Sequence, residues 1–154
     1  MLGRSYEGQI CSAARTLELV GERWSLLIVR NAMFAGMTRF MEFQRSLGVA
    51  PNILAKRLAD FVAAGIFELR QDAAGGHADY VLTAKGLDLQ PVIVALTEWG
   101  DRHAAPDGPP VAFEHRGCGG PVALKLECTS CCERPAPADV AARVDPRVRE
   151  AQRA

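Results

Sequence analysis

The sequence predicts a mainly α-helical fold with one small β-hairpin, an α+β domain followed by a cysteine-rich appendage. Three observations predict this fold class. Apolar residues recur at helical spacing in four segments before residue 104, and two shorter segments alternate apolar and polar residues. Beyond a Pro/Gly-rich stretch at residues 104–110, the composition changes to cysteine, glycine and proline. We therefore expect a main domain at residues 1–104, an appendage at 111–140 and a charged tail at 141–154.

The first helical segment covers residues 12–34, and a shorter segment follows it. Gly21 interrupts the apolar pattern, so the first segment forms either one bent helix or two short helices. Trp24 lies within this pattern and is expected in the core. In the shorter segment, Thr38 is a suitable N-cap and Gly48 a suitable end. The apolar residues of this segment share one helical face: Phe40, Phe43 and Leu47.

The next helix is predicted to begin at Pro51, because the N–H that proline lacks would have no partner in the first turn of a helix. It is predicted to end before Gly65. Its buried stripe consists of four apolar residues: Leu54, Leu58, Phe61 and Val62. The opposite face carries Asn52, Ala55, Lys56 and Ala59, which are left for solvent or a partner.

A β-hairpin is predicted at residues 66–83, where "IFELRQ" and "ADYVLT" alternate around a glycine-containing turn. Residues 84–103 return to a helical pattern, and Pro91 is expected to kink that helix. The apolar stripe of this last helix is wider than a small core needs. It consists of Leu89, Ile93, Leu96 and Trp99.

The charged residues balance over the whole chain, with 18 Lys and Arg against 18 Asp and Glu, but they do not balance locally. From Arg30 to Arg57, five basic residues accompany the single acid Glu42. The chain lacks an apolar run of the roughly 20 residues that a membrane span needs, and its N-terminus lacks the apolar segment of a secretory signal. These features predict a cytoplasmic protein without a membrane partner.

The order helix, short helix, turn, basic helix, hairpin describes a winged helix-turn-helix, in which the second short helix enters the DNA major groove. The helix that starts at Pro51 would be this recognition helix. Asn52 could pair with adenine, Lys56 could reach guanine or phosphate, and Ala55 is small enough to admit a thymine methyl group. The sequence therefore predicts double-stranded DNA as a partner. The alternative is an ordinary basic helix face that only contacts water.

Two further places are predicted to contact DNA. Thr38 and Arg39 open the preceding helix, where backbone amides and a guanidinium would attract the same phosphate. His77, near the tip of the hairpin, is the candidate wing residue, although an exposed loop histidine is more often without a ligand.

Several motifs of residues 11–100 resemble those of the HxlR family of winged-helix bacterial transcriptional regulators, within the MarR-like superfamily. They include Cys-x-x-Ala-x-x-Leu from Cys11 and Gly-x-x-Trp-x-Leu-Leu-Ile from Gly21. They continue with Gly-x-x-Pro-x-x-Leu from Gly48 and Leu-Thr-x-x-Gly from Leu82, and end with Trp99-Gly100. Members of that family usually carry serine or threonine before the recognition-helix proline, whereas this chain has Ala50.

The resemblance implies a homodimer that binds a near-palindromic operator, with one recognition helix of each subunit in a major groove. It also implies that the wide stripe of Leu89, Ile93, Leu96 and Trp99 is shared between the subunit core and the dimer contact. A small-molecule effector is a further expectation. In some members a cysteine at the position of Cys11 senses oxidants, and a structural thiol is the alternative here.

The appendage contains a spacing typical of two zinc knuckles, His115-x2-Cys118 and Cys128-x2-Cys131. Four such ligands would hold a structural Zn²⁺ and leave no open position for catalysis. Cys132 stands where the second knuckle usually has glycine, so free thiols or disulfides are the alternatives.

The main prediction is a non-enzymatic, dimeric DNA-binding transcriptional regulator that responds to a ligand or to redox state. One rival prediction is an enzyme that uses the Cys/His segment for thiol exchange or metal chemistry. Another keeps the fold but uses its surface to bind a protein.

Overall fold

The computed structural model describes residues 6, 10–71, 76–146 and 148 of the chain. The chain divides into two compact units, Met1–Gly100 and Asp101–Ala154, so the boundary lies a few residues before the predicted one. The first unit is a winged helix-turn-helix, which confirms the predicted fold class. Among the described residues, no helix is both long and apolar enough to cross a bilayer.

The first helical segment forms two helices, α1 (Ser12–Val20) and α2 (Ser25–Ala35). Gly21 caps α1, and the turn that follows brings Trp24 into the left-handed region at φ 78°. The indole is only partly buried, and the Arg23 guanidinium lies 5.1 Å from its centroid. The expectation that Trp24 belongs to the core was therefore wrong, because the turn places it at the edge of α2 rather than on a buried helix face.

Helices α3 (Phe40–Leu47) and α4 (Pro51–Ala63) form the helix-turn-helix. Gly48, at φ 61°, ends α3, and Pro51 is the first residue of α4, as predicted. The chain leaves α4 through Gly65 at φ 68°, a conformation that glycine adopts without steric cost. Both turns therefore depend on local backbone chemistry that the sequence displays.

Strands β1 (Phe67–Gln71) and β2 (Ala78–Leu82) pair antiparallel, with Phe67 opposite Leu82 and Gln71 opposite Ala78. The pair confirms the predicted hairpin. Phe67 anchors it, because its ring lies 5.7 Å from that of Phe61 in α4 and 6.4 Å from that of Phe43 in α3. The N–H of Tyr80 also donates to the carbonyl of Thr38, which ties β2 to the loop before α3.

The last helical segment consists of two helices, α5 (Ala84–Leu87) and α6 (Gln90–His103). The prediction of one helix kinked at Pro91 was wrong. The helix breaks at residues 88–89, so Pro91 lies in the first turn of α6, where its missing N–H needs no partner. The core of the unit is formed by apolar residues from α1 to α6, including Val20, Ile28, Phe43, Leu54, Leu58, Phe61, Ile66, Phe67, Ile93 and Val94.

The N-cap of α4 is a weak point, because Ala50 makes no side-chain hydrogen bond to the helix. Ala50→Ser supplies an oxygen that can accept from the N–H of Asn52 or Ile53, and we expect it to stabilise the first unit by about 1 kcal/mol. Urea unfolding followed by circular dichroism measures the gain. Ala55→Ser is the control, since the same hydroxyl inside the exposed helix should cost a few tenths of a kcal/mol. An equal effect of both substitutions would contradict the capping explanation.

Candidate nucleic-acid interface

The outer face of α4 is exposed as the sequence predicts. Leu54 and Leu58 are completely buried beneath it. The side chains on the opposite side all reach solvent: Pro51, Asn52, Ala55, Lys56 and Ala59. Because the buried leucines fix the rotation of the helix, the same small, amide and cationic side chains are always turned outward.

The charge of this face differs from the prediction. Lys56 Nζ lies 2.9 Å from an Asp60 carboxylate oxygen, one turn along α4. Arg57 is mostly buried and pairs with Glu22 at 2.8 Å and with Asp60 at 3.4 Å. Arg57 therefore ties α4 to the turn between α1 and α2 and offers little charge to a partner. The local excess of basic residues is smaller than it seemed because Glu22 and Asp60 lie outside the segment that was counted.

Thr38 and Arg39 meet the hairpin at the start of α3. The hydroxyl of Thr38 donates to Asp79 Oδ1 at 3.0 Å, and Arg39 Nε lies 3.5 Å from the same oxygen. The carboxylate of Glu42 accepts the N–H groups of both Thr38 and Arg39, and these two bonds hold the pKa of that carboxyl below its usual range. Arg39, not Thr38, is the N-cap residue, which corrects the predicted cap.

The sequence did not single out Asp79, although it is the acid nearest to the predicted phosphate contact. An acidic residue in a strand carries no signal for this role, since the contact depends on the hairpin folding back onto α3. His77 is exposed at the end of the hairpin. The turn at residues 72–75 lies outside the described residues.

The predicted dimer residues differ in exposure. Ile93 is 3% exposed and belongs to the core of the protomer, while Leu89 is partly buried. Leu96 and Trp99 are 50% and 57% exposed. On α1, Leu17 and Leu19 are exposed to a similar degree. The outward apolar surface of α6 is thus provided by Leu96 and Trp99, and Ile93 packs within the protomer.

An open cavity of about 200 Å³ lies beside the Thr38 contact. It is mostly apolar and is lined by Ala32, Met33, Gly36, Met37, Thr38, Tyr80, Val81, Leu82 and Leu87. The cavity is formed by the end of α2, the loop before α3 and strand β2, rather than beside the dimer helix α6 where the sequence suggested an effector site. A small-molecule effector stays a prediction.

All five cysteines are free thiols. Cys11 is exposed at the N-cap position of α1. In the second unit, His115 Nδ1 lies 3.2 Å from Cys118 Sγ. The backbone N–H groups of Cys131 and Ser130 donate to Cys128 Sγ and, together with the Cys131 thiol, hold the pKa of the Cys128 thiol below its usual range.

Known proteins share this architecture. The sequence model of the HxlR-like helix-turn-helix family matches residues 19–107. An HTH-type transcriptional regulator of Mycobacterium tuberculosis, itself uncharacterized, is 41% identical over 134 residues, which are 86% of this chain and 83% of the relative. The solved structure of PA1607, provisionally assigned as a transcription factor, has a TM-score of 0.80 at 41% identity, over 88% of this chain and 96% of PA1607.

The oxidized form of the redox regulator HypR is a more distant neighbour, with a TM-score of 0.55 at 27% identity over 60% of this chain and 97% of HypR. The similarity to the mycobacterial relative extends beyond the helix-turn-helix, because the first unit, Met1–Gly100, is too short to supply 134 matched residues. The family match covers more than half of the chain, and the fold and the exposed helix α4 agree with it. The chain belongs to the HxlR-like helix-turn-helix family of transcriptional regulators.

Proposed function

We propose that the protein is a homodimeric, sequence-specific DNA-binding regulator of the cytoplasm, which reads a near-palindromic operator with one α4 helix from each subunit. The observation that carries this proposal is the exposed face of α4, with Asn52, Ala55 and Lys56 outward and Leu54 and Leu58 completely buried behind them. Helix-turn-helix proteins place such a face in the major groove, where amide and cationic side chains read base edges.

The dimer is proposed from the apolar surface of α6. Leu96 and Trp99 are both at least half exposed, which is costly for large apolar side chains unless a partner covers them. A second copy would bury them and would set the separation of the two recognition helices to about one turn of DNA, roughly 34–36 Å.

A mobility-shift titration with the promoter region beside the protein's own gene tests the proposal. We expect a specific complex that survives an excess of scrambled competitor DNA and weakens as salt rises, because the bound phosphates release counterions. Sedimentation of the free protein should give the mass of two chains. A monomer, or binding that scrambled DNA removes completely, would contradict the proposal.

The pairing of Lys56 with Asp60 gives a prediction of its own. Lys56 must exchange this carboxylate for DNA, and exposed ion pairs contribute about 0.2–1 kcal/mol. We therefore expect Asp60→Asn to tighten operator binding about 5-fold in the dimer, measured by fluorescence anisotropy at fixed salt. Asp139→Asn makes the same charge change in the second unit and should leave affinity unchanged. Weaker binding by Asp60→Asn would show that the carboxylate orients Lys56 productively.

Redox control is proposed through Cys11. The thiol is exposed at the N-terminus of α1, a position that favours the thiolate, and the neighbour HypR is a redox regulator. In the proposed exchange, the Cys11 thiolate attacks a small disulfide, forms a mixed disulfide and releases the other half as a thiol.

We expect treatment with oxidised glutathione to weaken DNA binding of the wild type and to leave Cys11→Ser unaffected. Mass spectrometry of digests locates the adduct. Cys132→Ser is the matched control and should respond like the wild type. Equal responses of the wild type and Cys11→Ser would place the sensitive thiol elsewhere.

A further inference from the structure

The second unit has structure but lacks an apolar core. Among its described residues, 101–146 and 148, none of the hydrophobic side chains is buried in the protomer. Leu126 is 73% exposed, and Val111 and Val140 are more than half exposed. A unit of this size cannot be held together by so little apolar burial, and small domains of this kind usually depend on a metal or on disulfides. All cysteines here are free thiols, which leaves the metal to be considered.

The first turn that carries candidate ligands runs from His115 to Gly120. The N–H groups of Cys118 and Gly119 donate to the carbonyl of His115, and the N–H of His115 donates to the carbonyl of Gly120 at 2.8 Å. Gly119 is in the left-handed region at φ 69°. The turn brings His115 Nδ1 to 3.2 Å from Cys118 Sγ, so a nitrogen and a sulfur face each other across it.

The second turn, from Cys128 to Glu133, repeats the first. The N–H of Cys132 donates to the carbonyl of Cys128, and the N–H of Cys128 donates to the carbonyl of Glu133, both at 2.8 Å. The corresponding bonds of the first turn join Gly119 to His115 and His115 to Gly120, with the same spacing along the chain. Two unrelated stretches of sequence thus form the same turn, each with a candidate ligand at its first and fourth positions.

Cys132 marks the constraint on the second turn. It occupies the position equivalent to Gly119 and has φ 59°, although side chains other than glycine rarely adopt this region. The N–H groups of Ser130 and Cys131 point toward Cys128 Sγ and donate to it. Such inward amides are what a thiolate ligand needs, because they spread its negative charge when it binds a cation.

We propose that His115, Cys118, Cys128 and Cys131 bind one structural Zn²⁺ that joins the two turns. Within the described residues, no three His, Cys, Asp or Glu side chains converge at metal-binding distance, so each turn holds one pair and the metal would bring the pairs together. Three thiols lose their protons to solvent on binding, and the imidazole binds in its neutral form. Cys132 is not a ligand, because its counterpart in the first turn is a glycine.

The test uses the full-length protein purified without oxygen. We expect about one zinc per chain by elemental mass spectrometry, and fewer than about half an equivalent in the wild type would overturn the proposal. Replacement of zinc by Co²⁺ should give sulfur-to-cobalt charge-transfer bands and the intense visible bands of a tetrahedral site. Octahedral Co²⁺ spectra, or disulfides found in the anaerobic protein, would also overturn it.

Variants identify the ligands. Cys118→Ser and Cys131→Ser should lose the metal, whereas Cys132→Ser and Cys11→Ser should retain it. His115→Cys should still bind Co²⁺ with a spectrum shifted toward that of four thiolates, which separates the loss of a ligand from the loss of folding. If Cys132→Ser lost the metal as fully as Cys131→Ser, the proposed ligand set would be wrong. Zinc content and DNA binding are measured separately, so either proposal can fail without the other.

Discussion

Lys56→Glu is expected to weaken operator binding about 100-fold, since a contact worth about 1–3 kcal/mol is lost in each of the two subunits. Lys56 is the cationic side chain on the exposed face of α4, whereas Arg57 beside it is mostly buried against Glu22. The substitution replaces an attraction to DNA by a repulsion. Anisotropy titrations with a labelled operator at one salt concentration measure the change.

Two controls separate this effect from general charge and from folding. Lys125→Glu makes the same charge change in the second unit and should bind almost as tightly as the wild type. Lys56→Gln removes the charge without placing a carboxylate next to Asp60, and we expect an intermediate loss of about 10-fold. Unchanged affinity in Lys56→Glu would show that the outer face of α4 is not the DNA-binding surface.

Gly86→Ala is expected to destabilise the first unit by about 3 kcal/mol, near the upper end of what overpacking normally costs. Gly86 is buried in α5, and a β-carbon there would overlap the backbone oxygen of Ile66 and lie 2.8 Å from Leu82 Cδ2. A backbone oxygen cannot rotate away as a flexible side chain can. The hairpin and α5 would have to separate.

The same region joins α5 to the end of α4. The hydroxyl of Thr83 donates to the carbonyl of Gly65 at 2.6 Å and accepts the N–H of Gly86. We therefore expect the melting temperature of Gly86→Ala to fall by roughly 10–20 °C, measured by calorimetry.

Gly100→Ala is the matched control for this substitution, because open space surrounds the added methyl group and alanine favours the helix α6. It should raise the melting temperature slightly. A Gly86→Ala protein as stable as the wild type would mean that the contact between Ile66 and α5 is looser than it is here.

Much of the fold follows from short-range patterns. Pro51 and Gly65 delimit α4, and Gly48 ends α3, because each acts through the conformation of its own backbone. The alternation of β1 and β2 around a glycine turn was sufficient to predict the hairpin, and the spacing of Leu54, Leu58 and Phe61 was sufficient to predict which face of α4 is buried. Two of the errors, Trp24 and Pro91, concern the places where a long helical pattern breaks.

The charges of the site could not be assigned in this way. Arg57 contacts Glu22, 35 residues away, and Thr38 contacts Asp79, 41 residues away. Sequence distance says nothing about which ion pairs form, because ion pairing depends on how the helices and the hairpin pack. Packing also places Ile93 in the core and leaves Leu96 exposed on the same helix. The pattern of residues thus specified the helix that is turned outward, while long-range contacts determined which of its cations remain available to DNA.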